Sequence, residues 1–344
     1  MPQNQVTNSY SESPETNSPP TPVLKVGLVG TGYAAKKRAE ALCNDERSQL
    51  AFVSGNMPEH TDAFCQTYST EAKESWQELV TESSLDLVII SNINKDHGRI
   101  ARAALEAGKH VVCEYPLALE AVEARDLVEL AKTQGKLLHI EHIELLGGLH
   151  QAIRQALPQI GKVFYASYTT ISPKHPAPHN WTYHRQMYGF PLVAALSRIH
   201  RFTDLFGTVA ALSCQANFWD TLEPYYYSAC LCDAQLRFAS GLIAHITYGK
   251  GDVFWQARRT FELQGEAGTL IFAGERGKLV RGEEEIPIEV GSRRGLFAKD
   301  TTMVLDHLLD GKPLYVEPQA SLYALKIANS AHLSAQTGQT INLL

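Results

Sequence analysis

A glycine-rich hexapeptide at positions 30–35 is the clearest chemical motif in the sequence. Gly30-Thr31-Gly32-Tyr33-Ala34-Ala35 fits the pattern G-x-G-x-x-[G/A] and follows a short apolar run. In this pattern the first glycine permits a tight turn, the second lets the backbone approach a pyrophosphate, and a small third residue lets helix and strand pack closely. The N-terminus of the following helix adds free N–H groups and a positive dipole end. The motif predicts a dinucleotide site that contains Gly30, Gly32, Tyr33 and Ala35.

The end of the second predicted strand favours one form of the dinucleotide. An NAD-preferring site normally places Asp or Glu about 20 residues beyond the glycines, where it binds the ribose 2′-hydroxyl. Here the segment reads Val53-Ser54-Gly55-Asn56-Met57 and holds no carboxylate. Ser54 and Asn56 can donate hydrogen bonds to a 2′-phosphate. The basic run Lys36-Lys37-Arg38 can add charge, although it equally fits a solvated helix face. The sequence thus predicts NADPH as the cofactor in preference to NADH.

The run His139-Ile140-Glu141-His142 contains two histidines at a spacing that invites a metal site. On a strand, however, residues three apart point to opposite faces, so the two imidazoles cannot readily bind one ion. We therefore predict no metal here. Glu141 and His142 are instead expected at the edge of the nucleotide pocket, or in ordinary hydrogen bonding where two domains meet.

Alternating strands and helices position these groups in the first part of the chain. Apolar runs predict strands at 24–29, 50–53, 87–90, 109–113 and 137–143. Helical segments separate them, and the run 87–90 is apolar on both faces, as in a buried parallel strand. This alternation predicts an α/β fold whose N-terminal Rossmann domain, residues 23–145, has a doubly wound parallel sheet.

After about residue 146 the pattern changes to strands joined by turns. Strand-like runs occur at 162–171, 211–219, 226–238, 242–248, 259–264 and 268–273. They predict a C-terminal α/β domain, residues 146–344, which binds the substrate and has a large, mostly antiparallel open sheet. Residues 191–207 predict a helix, and a final amphipathic helix at about 317–336 is in position to pack back on the first domain. Residues 1–22, rich in Ser, Asn and Pro, are predicted to be disordered.

Composition and charge argue against several classes of protein. The 344 residues carry a net charge of −6, which argues against a dedicated nucleic-acid binder. No stretch approaches the roughly 18 uninterrupted apolar residues of a transmembrane helix. The N-terminus lacks the basic start and apolar core of a secretory signal. Six dispersed cysteines without a CxxC pair indicate reduced thiols and a cytoplasmic protein. The oligomeric state stays open.

Three segments resemble the Gfo/Idh/MocA oxidoreductases. They are the glycine motif, the turn Asn94-Lys95-Asp96-His97 with the following ARAALEAGKHVVCEYPLAL (101–119), and the C-terminal residues 300–343. Together the resemblance covers nearly all of residues 23–344. It implies a Rossmann domain followed by a domain whose open sheet bounds the substrate pocket. It also implies further cofactor-binding residues, namely Asn92, Asn94, His97, Glu114 and Tyr115.

The sequence departs from the sugar-dehydrogenating members of this family at both positions that handle an alcohol proton. Those members have Lys after the Glu of an E-K-P strand, whereas this chain has Tyr115. They also have a D-x-x-x-H helix motif, at whose Asp and His positions Ser197 and Arg201 stand here. General-base catalysis on a hydroxyl needs a group that titrates near the working pH, and neither Tyr nor Arg normally does so. A sugar or inositol dehydrogenase is therefore the weaker alternative.

Further segments resemble the bilin-reducing branch of the family, most closely its cyanobacterial members. They are E-Y-P at 114–116, HIEHIELLGG at 139–148, the stretch 180–207 and VGSRRGLF at 290–297. The resemblance implies NAD(P)H-dependent reduction of biliverdin IXα to bilirubin. Hydride would go to the central methine carbon and a proton to a pyrrole nitrogen. A bilin is flat and carries two propionates, which suits arginine, because guanidinium pairs with carboxylates or lies on a π-system.

The same resemblance implies that Arg198 is the key catalytic residue. A free arginine is a poor acid because its pKa exceeds 12, so Arg198 would stabilise developing charge or take part in a relay. Arg198 and Arg201 share one face of a predicted helix. The residues expected to bind the bilin are Tyr115, His142, Arg198, Arg201, Arg185 and Arg293.

Two questions stay open on the sequence. Besides a relay through Arg198, the proton donor can be His97, His142 or Tyr115. The chain can also be a non-enzymatic NADP-binding regulator that lacks the Lys and His of the sugar dehydrogenases. Such a regulator, however, would not need the arginine pair.

Overall fold

The computed structural model describes residues 22–344. The segment predicted to be disordered, residues 1–22, lies outside this range except for its last residue. Two β-sheets with their helices make up the described chain. Among its helices, none is both long and apolar enough to cross a membrane.

Six parallel strands form the first sheet. They are β1 Leu24–Val29, β2 Ser48–Ser54, β3 Glu71–Ala72, β4 Leu87–Ile90, β5 His110–Cys113 and β6 Leu138–Ile140. Their order across the sheet is 3-2-1-4-5-6, the order of doubly wound dinucleotide-binding folds. In β4, Leu87 and Ile89 join the core on one face of the sheet, while Val88 and Ile90 join the core on the other. The predicted doubly wound parallel sheet is confirmed.

Five helices connect these strands. They are α1 Tyr33–Cys43, α2 Pro58–Tyr68, α3 Trp76–Thr81, α4 His97–Glu106 and α5 Ala121–Gln134. Helix α1 begins directly after the glycine motif, and its Ala35 and Ala39 are fully buried. The strand predicted at 137–143 is shorter than expected, because Ile143–Leu145 form a 3₁₀ turn. Residues just beyond β6 are therefore free to reach the edge of the sheet.

Nine strands form the second sheet. They are β7 Val163–Pro173, β8 Val209–Asp220, β9 Tyr227–Phe238, β10 Ile243–Gly251, β11 Arg258–Gly265, β12 Gly268–Ala273, β13 Arg276–Arg281, β14 Glu284–Glu289 and β15 Ile341–Asn342. Their order is 14-13-12-11-7-10-9-8-15. β7 and β10 pair in parallel, and the other neighbouring pairs are antiparallel. The mostly antiparallel sheet is confirmed, with two strands, β13 and β14, that the sequence analysis does not predict.

Six helices accompany the second sheet. They are α6 Gly148–Ala156, α7 Arg185–Tyr188, α8 Pro191–Ala194, α9 Ser197–Phe206, α10 Leu296–Asp310 and α11 Pro318–Thr337. The single helix predicted for residues 191–207 is two helices, because the backbone leaves helical geometry at Ala195 (φ −99°, ψ 37°). Residues 191–196 are all buried, so this segment packs as core rather than as part of one amphipathic helix. Helix α9 carries both Arg198 and Arg201.

The end of the chain packs back on the helices of the first sheet. Helix α11 contacts α5, and α10 contacts α1. Asn329 in α11 accepts a hydrogen bond from Ala121 N at 2.7 Å and donates one to Leu119 O at 2.9 Å. One hydrophobic core accordingly runs from the first sheet into the second. The two sheets are thus fixed on either side of a shared cleft.

Candidate active site

A cleft of about 770 Å³ opens at the carboxyl ends of the strands of the first sheet. In doubly wound folds, ligands bind at this edge of the sheet. Eleven predicted site residues line the cleft: Gly30, Gly32, Tyr33, Ser54, Asn56, Asn92, Asn94, His97, Glu114, Tyr115 and Arg293. The other five predicted residues are not among those that line it: Ala35, His142, Arg185, Arg198 and Arg201.

The glycine turn after β1 has the geometry that a pyrophosphate needs. Gly30 has φ of +117°, and a Cβ there would lie 2.4 Å from Ser91 O, so another residue would be strained. At Gly32 a Cβ would meet no heavy atom within 4 Å, which leaves open space beside the N-terminus of α1. Ala35 is fully buried and packs in the core, so its role is to let the helix approach the sheet. Backbone N–H groups beside open space suit a dinucleotide.

The end of β2 carries polar and neutral groups where the adenosine ribose of a dinucleotide would lie. Cleft residues in this part of the chain are Ser54, Gly55, Asn56, Met57 and His60. None of these five carries a carboxylate that would repel a 2′-phosphate. A Cβ on Gly55 would lie 2.5 Å from Thr61 Oγ1, so the glycine keeps the backbone close to α2. The residues at this edge therefore fit a phosphorylated dinucleotide.

The basic run before this edge does not act as predicted. Arg38 is fully buried, donates from Nε to Glu114 Oε1 at 2.9 Å, and forms an ion pair with Asp300. Because two carboxylates already pair with it, Arg38 is not available to a 2′-phosphate. Lys37 pairs with Glu40 at 2.7 Å. The pattern of charges could not reveal this, since Asp300 is 262 residues away in sequence.

The loop after β4 joins the two sides of the cleft. Asn94 Nδ2 donates to Tyr188 O at 2.9 Å, which ties the loop to α7. The buried His97 ring has Nδ1 2.8 Å from Pro116 O and Nε2 3.3 Å from Asn92 O. Burial lowers the pKa of His97, so the neutral ring donates one hydrogen bond and holds the backbone on both sides of the site.

Tyr115 and Arg198 meet at one hydroxyl. Tyr115 Oη donates to Ser197 Oγ at 3.2 Å, and Arg198 Nη1 donates to the same oxygen at 3.0 Å. Tyr115 lines the cleft, and Arg198 is one hydrogen-bonded residue behind it. Burial opposes the charge of Arg198, but nearby tyrosine oxygens hold its pKa above the usual value. Its buried Nε has no hydrogen-bond partner among residues 22–344, which leaves a donor for a ligand.

His142 is buried behind Tyr115 rather than exposed to the cleft. The two rings stack with centroids 5.3 Å apart, and His142 Nε2 lies 2.8 Å from Ser321 Oγ on α11. His139 instead lies 2.8 Å from Asp300 Oδ1 on α10. The two imidazoles thus have separate partners. For His142, the structure agrees with ordinary hydrogen bonding between parts of the chain.

Glu144 gathers three arginines beside the cleft. Its carboxylate lies 3.2 Å from Arg201 Nη2 and 3.5 Å from Arg259 Nη2, and it also pairs with Arg293. Burial alone would raise the pKa of Glu144, but the arginines outweigh burial and lower it. We call these four residues the arginine-rich cluster. Its three cations exceed its one carboxylate, so it retains a positive charge of two.

A second group of charges, which we call the acid-rich cluster, surrounds Arg38. Its members are Arg38, Glu114, Glu141 and Asp300. Burial raises the pKa of Glu141 well above its usual range, and the neighbouring Glu114 raises it further. Burial also opposes ionisation of Asp300, yet Arg38 and His139 hold the pKa of Asp300 far below its usual range. Glu114 and Glu141 both line the cleft.

Arg185 does not reach the cleft, contrary to expectation. It pairs with Asp220 at the end of β8, and its guanidinium lies 3.9 Å from the centroid of the Phe218 ring. Its charge is therefore used locally, at the edge of the second sheet. Arg293, the other outlying arginine that was predicted, does line the cleft and is half exposed.

Three groups in the cleft region escape the sequence analysis: Glu144, Trp181 and Arg259. Glu144 follows β6 closely, and its place at a carboxyl strand edge is the signal that could have found it. Its partners Arg201 and Arg293 lie 57 and 149 residues further along the chain. No local pattern links residues at such separations, so the cluster itself could not be predicted.

Two family models match the chain. The model described as "Oxidoreductase family, NAD-binding Rossmann fold" matches residues 24–142, and "Oxidoreductase family, C-terminal alpha/beta domain" matches residues 154–343. The chain belongs to the Gfo/Idh/MocA oxidoreductase family. The resemblance drawn from the motifs is confirmed. Within Gfo/Idh/MocA proteins, this chain is distinguished by Tyr115, Ser197 and Arg201 at the positions described above.

Individual relatives cover different shares of this Gfo/Idh/MocA chain. The solved structure of biliverdin reductase from Synechocystis sp. PCC 6803, in complex with biliverdin and NADP+, is 56% identical, with a TM-score of 0.90 over 91% of this chain and 99% of that chain. Biliverdin reductase A from Homo sapiens is 26% identical over 320 residues, 91% of this chain and 96% of the relative. The 1,5-anhydro-D-fructose reductase of Ensifer adhaerens is 37% identical over 154 residues, 41% of this chain and 45% of the relative. Similarity to the two biliverdin reductases therefore extends through both sheets.

Proposed function

We propose that this chain catalyses the NAD(P)H-dependent reduction of biliverdin IXα to bilirubin. The observation that carries the proposal is 56% identity to the Synechocystis biliverdin reductase over 99% of that chain. The cleft supports it with an open glycine turn for a dinucleotide and an excess of arginines for an anionic, planar substrate. Hydride goes to the central methine carbon of the bilin, and a proton goes to a pyrrole nitrogen.

In this proposal the two parts of the chain divide the work. Residues 23–145 bind the dinucleotide through the glycine turn and the end of β2, and residues 146–344 contribute most of the bilin site. Bound NADPH supplies the hydride. Asn94 and His97 hold the loop between the two ligands in place through their hydrogen bonds to Tyr188 O and Pro116 O. Tyr115 offers a flat ring at the point where the ligands meet.

Arg198 stabilises the negative charge that hydride transfer leaves on the pyrrole system. Its guanidinium is buried and charged, and its Nε is free to donate. A preorganised donor in a dry site stabilises developing charge far more than the same donor in water. Ser197 Oγ orients the guanidinium at 3.0 Å. Arg198 thus acts on charge and not as an acid.

The arginine-rich cluster binds the propionates. Its excess of two positive charges equals the charge of the two propionates of one bilin. Arg293 is half exposed and can reach a carboxylate directly, whereas Arg201 is 1% exposed and is held by Glu144. Charge-assisted hydrogen bonds from guanidinium to carboxylate are strong and directional. The cluster therefore places the substrate as well as attracting it.

The same residues argue against oxidation of a sugar alcohol. Ser197 Oγ accepts hydrogen bonds from Tyr115 and Arg198, and Arg201 is paired with Glu144. Neither side chain at the D-x-x-x-H positions can take a proton from a hydroxyl near neutral pH.

A visible-absorbance assay tests the proposal. Purified full-length chain is mixed with biliverdin IXα and NADPH, and we expect the long-wavelength biliverdin band to fall while a bilirubin band grows. Binding of biliverdin without turnover would contradict the proposal and favour a bilin-binding regulator. Absence of both binding and turnover would also contradict it, and a panel of sugars and polyols would then follow.

We also propose that NADPH is preferred over NADH, because no carboxylate stands at the end of β2. Asn56→Asp should lower kcat/KM for NADPH by about tenfold or more while sparing NADH, since a carboxylate repels the 2′-phosphate and binds the free hydroxyl. Asn342→Asp on β15 makes the same charge change outside the cleft and serves as the matched control. A wild-type chain that uses NADH at lower concentrations than NADPH would refute this preference.

A further inference from the structure

Two carboxyl groups stand side by side at the floor of the cleft. Cys113 on β5 pairs with Ile140 on β6, and Glu141 N donates to Cys113 O at 2.9 Å. The next residue of each strand is a glutamate, so the parallel register brings Glu114 and Glu141 together. Both line the cleft, and their side chains share a hydrogen bond. Such a bond between two carboxyl groups requires one proton between them.

The surroundings of the pair decide which member holds the proton. Glu114 has a counter-ion, because Arg38 Nε donates to Glu114 Oε1 at 2.9 Å. Glu141 has no such ion pair in the described chain, is 2% exposed, and accepts a hydrogen bond from Ile143 N at 2.5 Å. The titratable groups that face it are Glu114, Cys113, Tyr115, Arg38, Asp300 and Tyr315. Burial first, and Glu114 second, raise the pKa of Glu141, while Arg38 opposes them.

The other candidate donors are less suited to protonate a nitrogen. Arg198 has a pKa above its usual value, and burial raises that of Tyr115, so both are weaker acids than normal. Burial lowers the pKa of His97 and of His142, so both rings are neutral. A buried carboxyl group behaves in the opposite way, because the same burial moves its pKa toward neutral pH, where proton donors are most effective.

We propose, building on the function proposed above, that Glu141 is the catalytic acid of this cleft and Glu114 its positioning partner. When hydride reaches the central methine carbon, the electron pair displaced from the π-system localises on a pyrrole-type nitrogen. The O–H bond of Glu141 then breaks and an N–H bond forms on the bilin. Glu141 becomes a carboxylate, which Arg38 helps to neutralise, and it regains its proton from water. One hydride and one proton are added, as the reduction requires.

Glu141→Gln gives the first test. The amide keeps an oxygen to accept from Ile143 N but carries no acidic proton, so single-turnover reduction at saturating NADPH should slow by about 100-fold or more. NADPH affinity, followed by nucleotide fluorescence, should change less than twofold. Glu129→Gln on the exposed face of α5 is the matched control and should keep the wild-type rate. A Glu141→Gln rate within twofold of wild type would overturn the proposal.

The pH profile gives a second test that a purely structural role would not affect. The wild-type rate should fall as pH rises and Glu141 loses its proton, and Glu114→Gln should move this fall to lower pH by removing the neighbouring negative charge. An unmoved profile would overturn the proposal, even if Glu141→Gln fails to fold. If the wild-type chain does not reduce biliverdin at all, the proposed function fails and this inference with it. Normal turnover by Glu141→Gln refutes this inference alone.

Discussion

Two charged clusters open on the same cleft with opposite balances. In the acid-rich cluster, Arg38 is shared among the carboxyl groups of Glu114, Glu141 and Asp300. In the arginine-rich cluster, the single carboxylate of Glu144 is shared among three guanidinium groups. Both clusters are largely buried. They differ in which sign of charge is in excess.

The difference teaches that the minority charge of a buried cluster determines what the cluster can offer. One arginine cannot keep three adjacent carboxyl groups ionised, so the acid-rich cluster retains a proton, on Glu141. One carboxylate cannot neutralise three arginines, so the arginine-rich cluster retains positive charge for an anionic ligand. The reduction that we propose needs both: a proton for the nitrogen and a cation for each propionate.

Removing Arg198, the buried cation that belongs to neither cluster, should have the largest effect. Arg198→Ala should lower kcat by roughly 10²–10³-fold, because a preorganised group that stabilises developing charge is lost. NADPH affinity should be unchanged, as Arg198 does not line the cleft. Steady-state kinetics and nucleotide fluorescence measure the two quantities. Arg125→Ala on exposed α5 is the control, and a fully active Arg198→Ala would show that the two clusters suffice.

Removing Arg293 should weaken substrate binding and leave the chemistry intact. Arg293→Ala deletes the most exposed cation of the arginine-rich cluster, so the Kd for biliverdin should rise by about tenfold, the effect of losing a charged hydrogen bond. The single-turnover rate at saturating biliverdin should stay within twofold. The adjacent Arg294→Ala is the matched control. Equal losses in both variants would show that general positive charge, and not the cluster, attracts the bilin.

The two glutamates should affect stability with opposite dependence on pH. The pKa of Glu144 is lowered by folding, so its contribution is present above the unfolded value near pH 4.3 and is lost as pH falls. The pKa of Glu141 is raised, so its ionisation increasingly destabilises the fold as pH rises above that value. Between pH 4 and pH 7, Glu144→Gln should lose at least about 1 kcal/mol relative to wild type. Glu141→Gln should gain by a similar amount.

Urea unfolding of wild type and both variants at several pH values measures these differences. Glu129→Gln should parallel the wild type throughout, because its carboxyl is exposed. Changes of the same sign in Glu141→Gln and Glu144→Gln would contradict the contrast between the clusters.

Much of the fold could be predicted because it depends on local patterns. The glycine turn, the buried run of β4 and the alternating strands each act within a few residues, and the two sheets follow from them. Strands β13 and β14 escaped because most of their residues are partly or fully exposed, so their apolar pattern is weak. The break at Ala195 escaped because burial on all sides replaces the amphipathic pattern that marks a helix.

The candidate site could be predicted only where it follows a motif. Residues that line the cleft next to the glycine turn or the E-Y-P strand lie where expected. Arg38 was misjudged and the partners of Glu144 were missed for one reason: the stabilising ion pairs join residues far apart in sequence. Arg185 shows the converse, because a neighbouring strand end supplied Asp220 and took up its charge.

The pairing of Arg38 with Asp300 also bears on how the chain is made. Arg38 lies in the first helix and Asp300 in the second-to-last, 262 residues later. During translation the N-terminal half leaves the ribosome long before Asp300 is synthesised. In that interval a compact N-terminal half would bury an arginine without one of its carboxylates, at a cost of about 3–5 kcal/mol. The dinucleotide-binding half therefore matures late, when nearly the whole polypeptide has emerged.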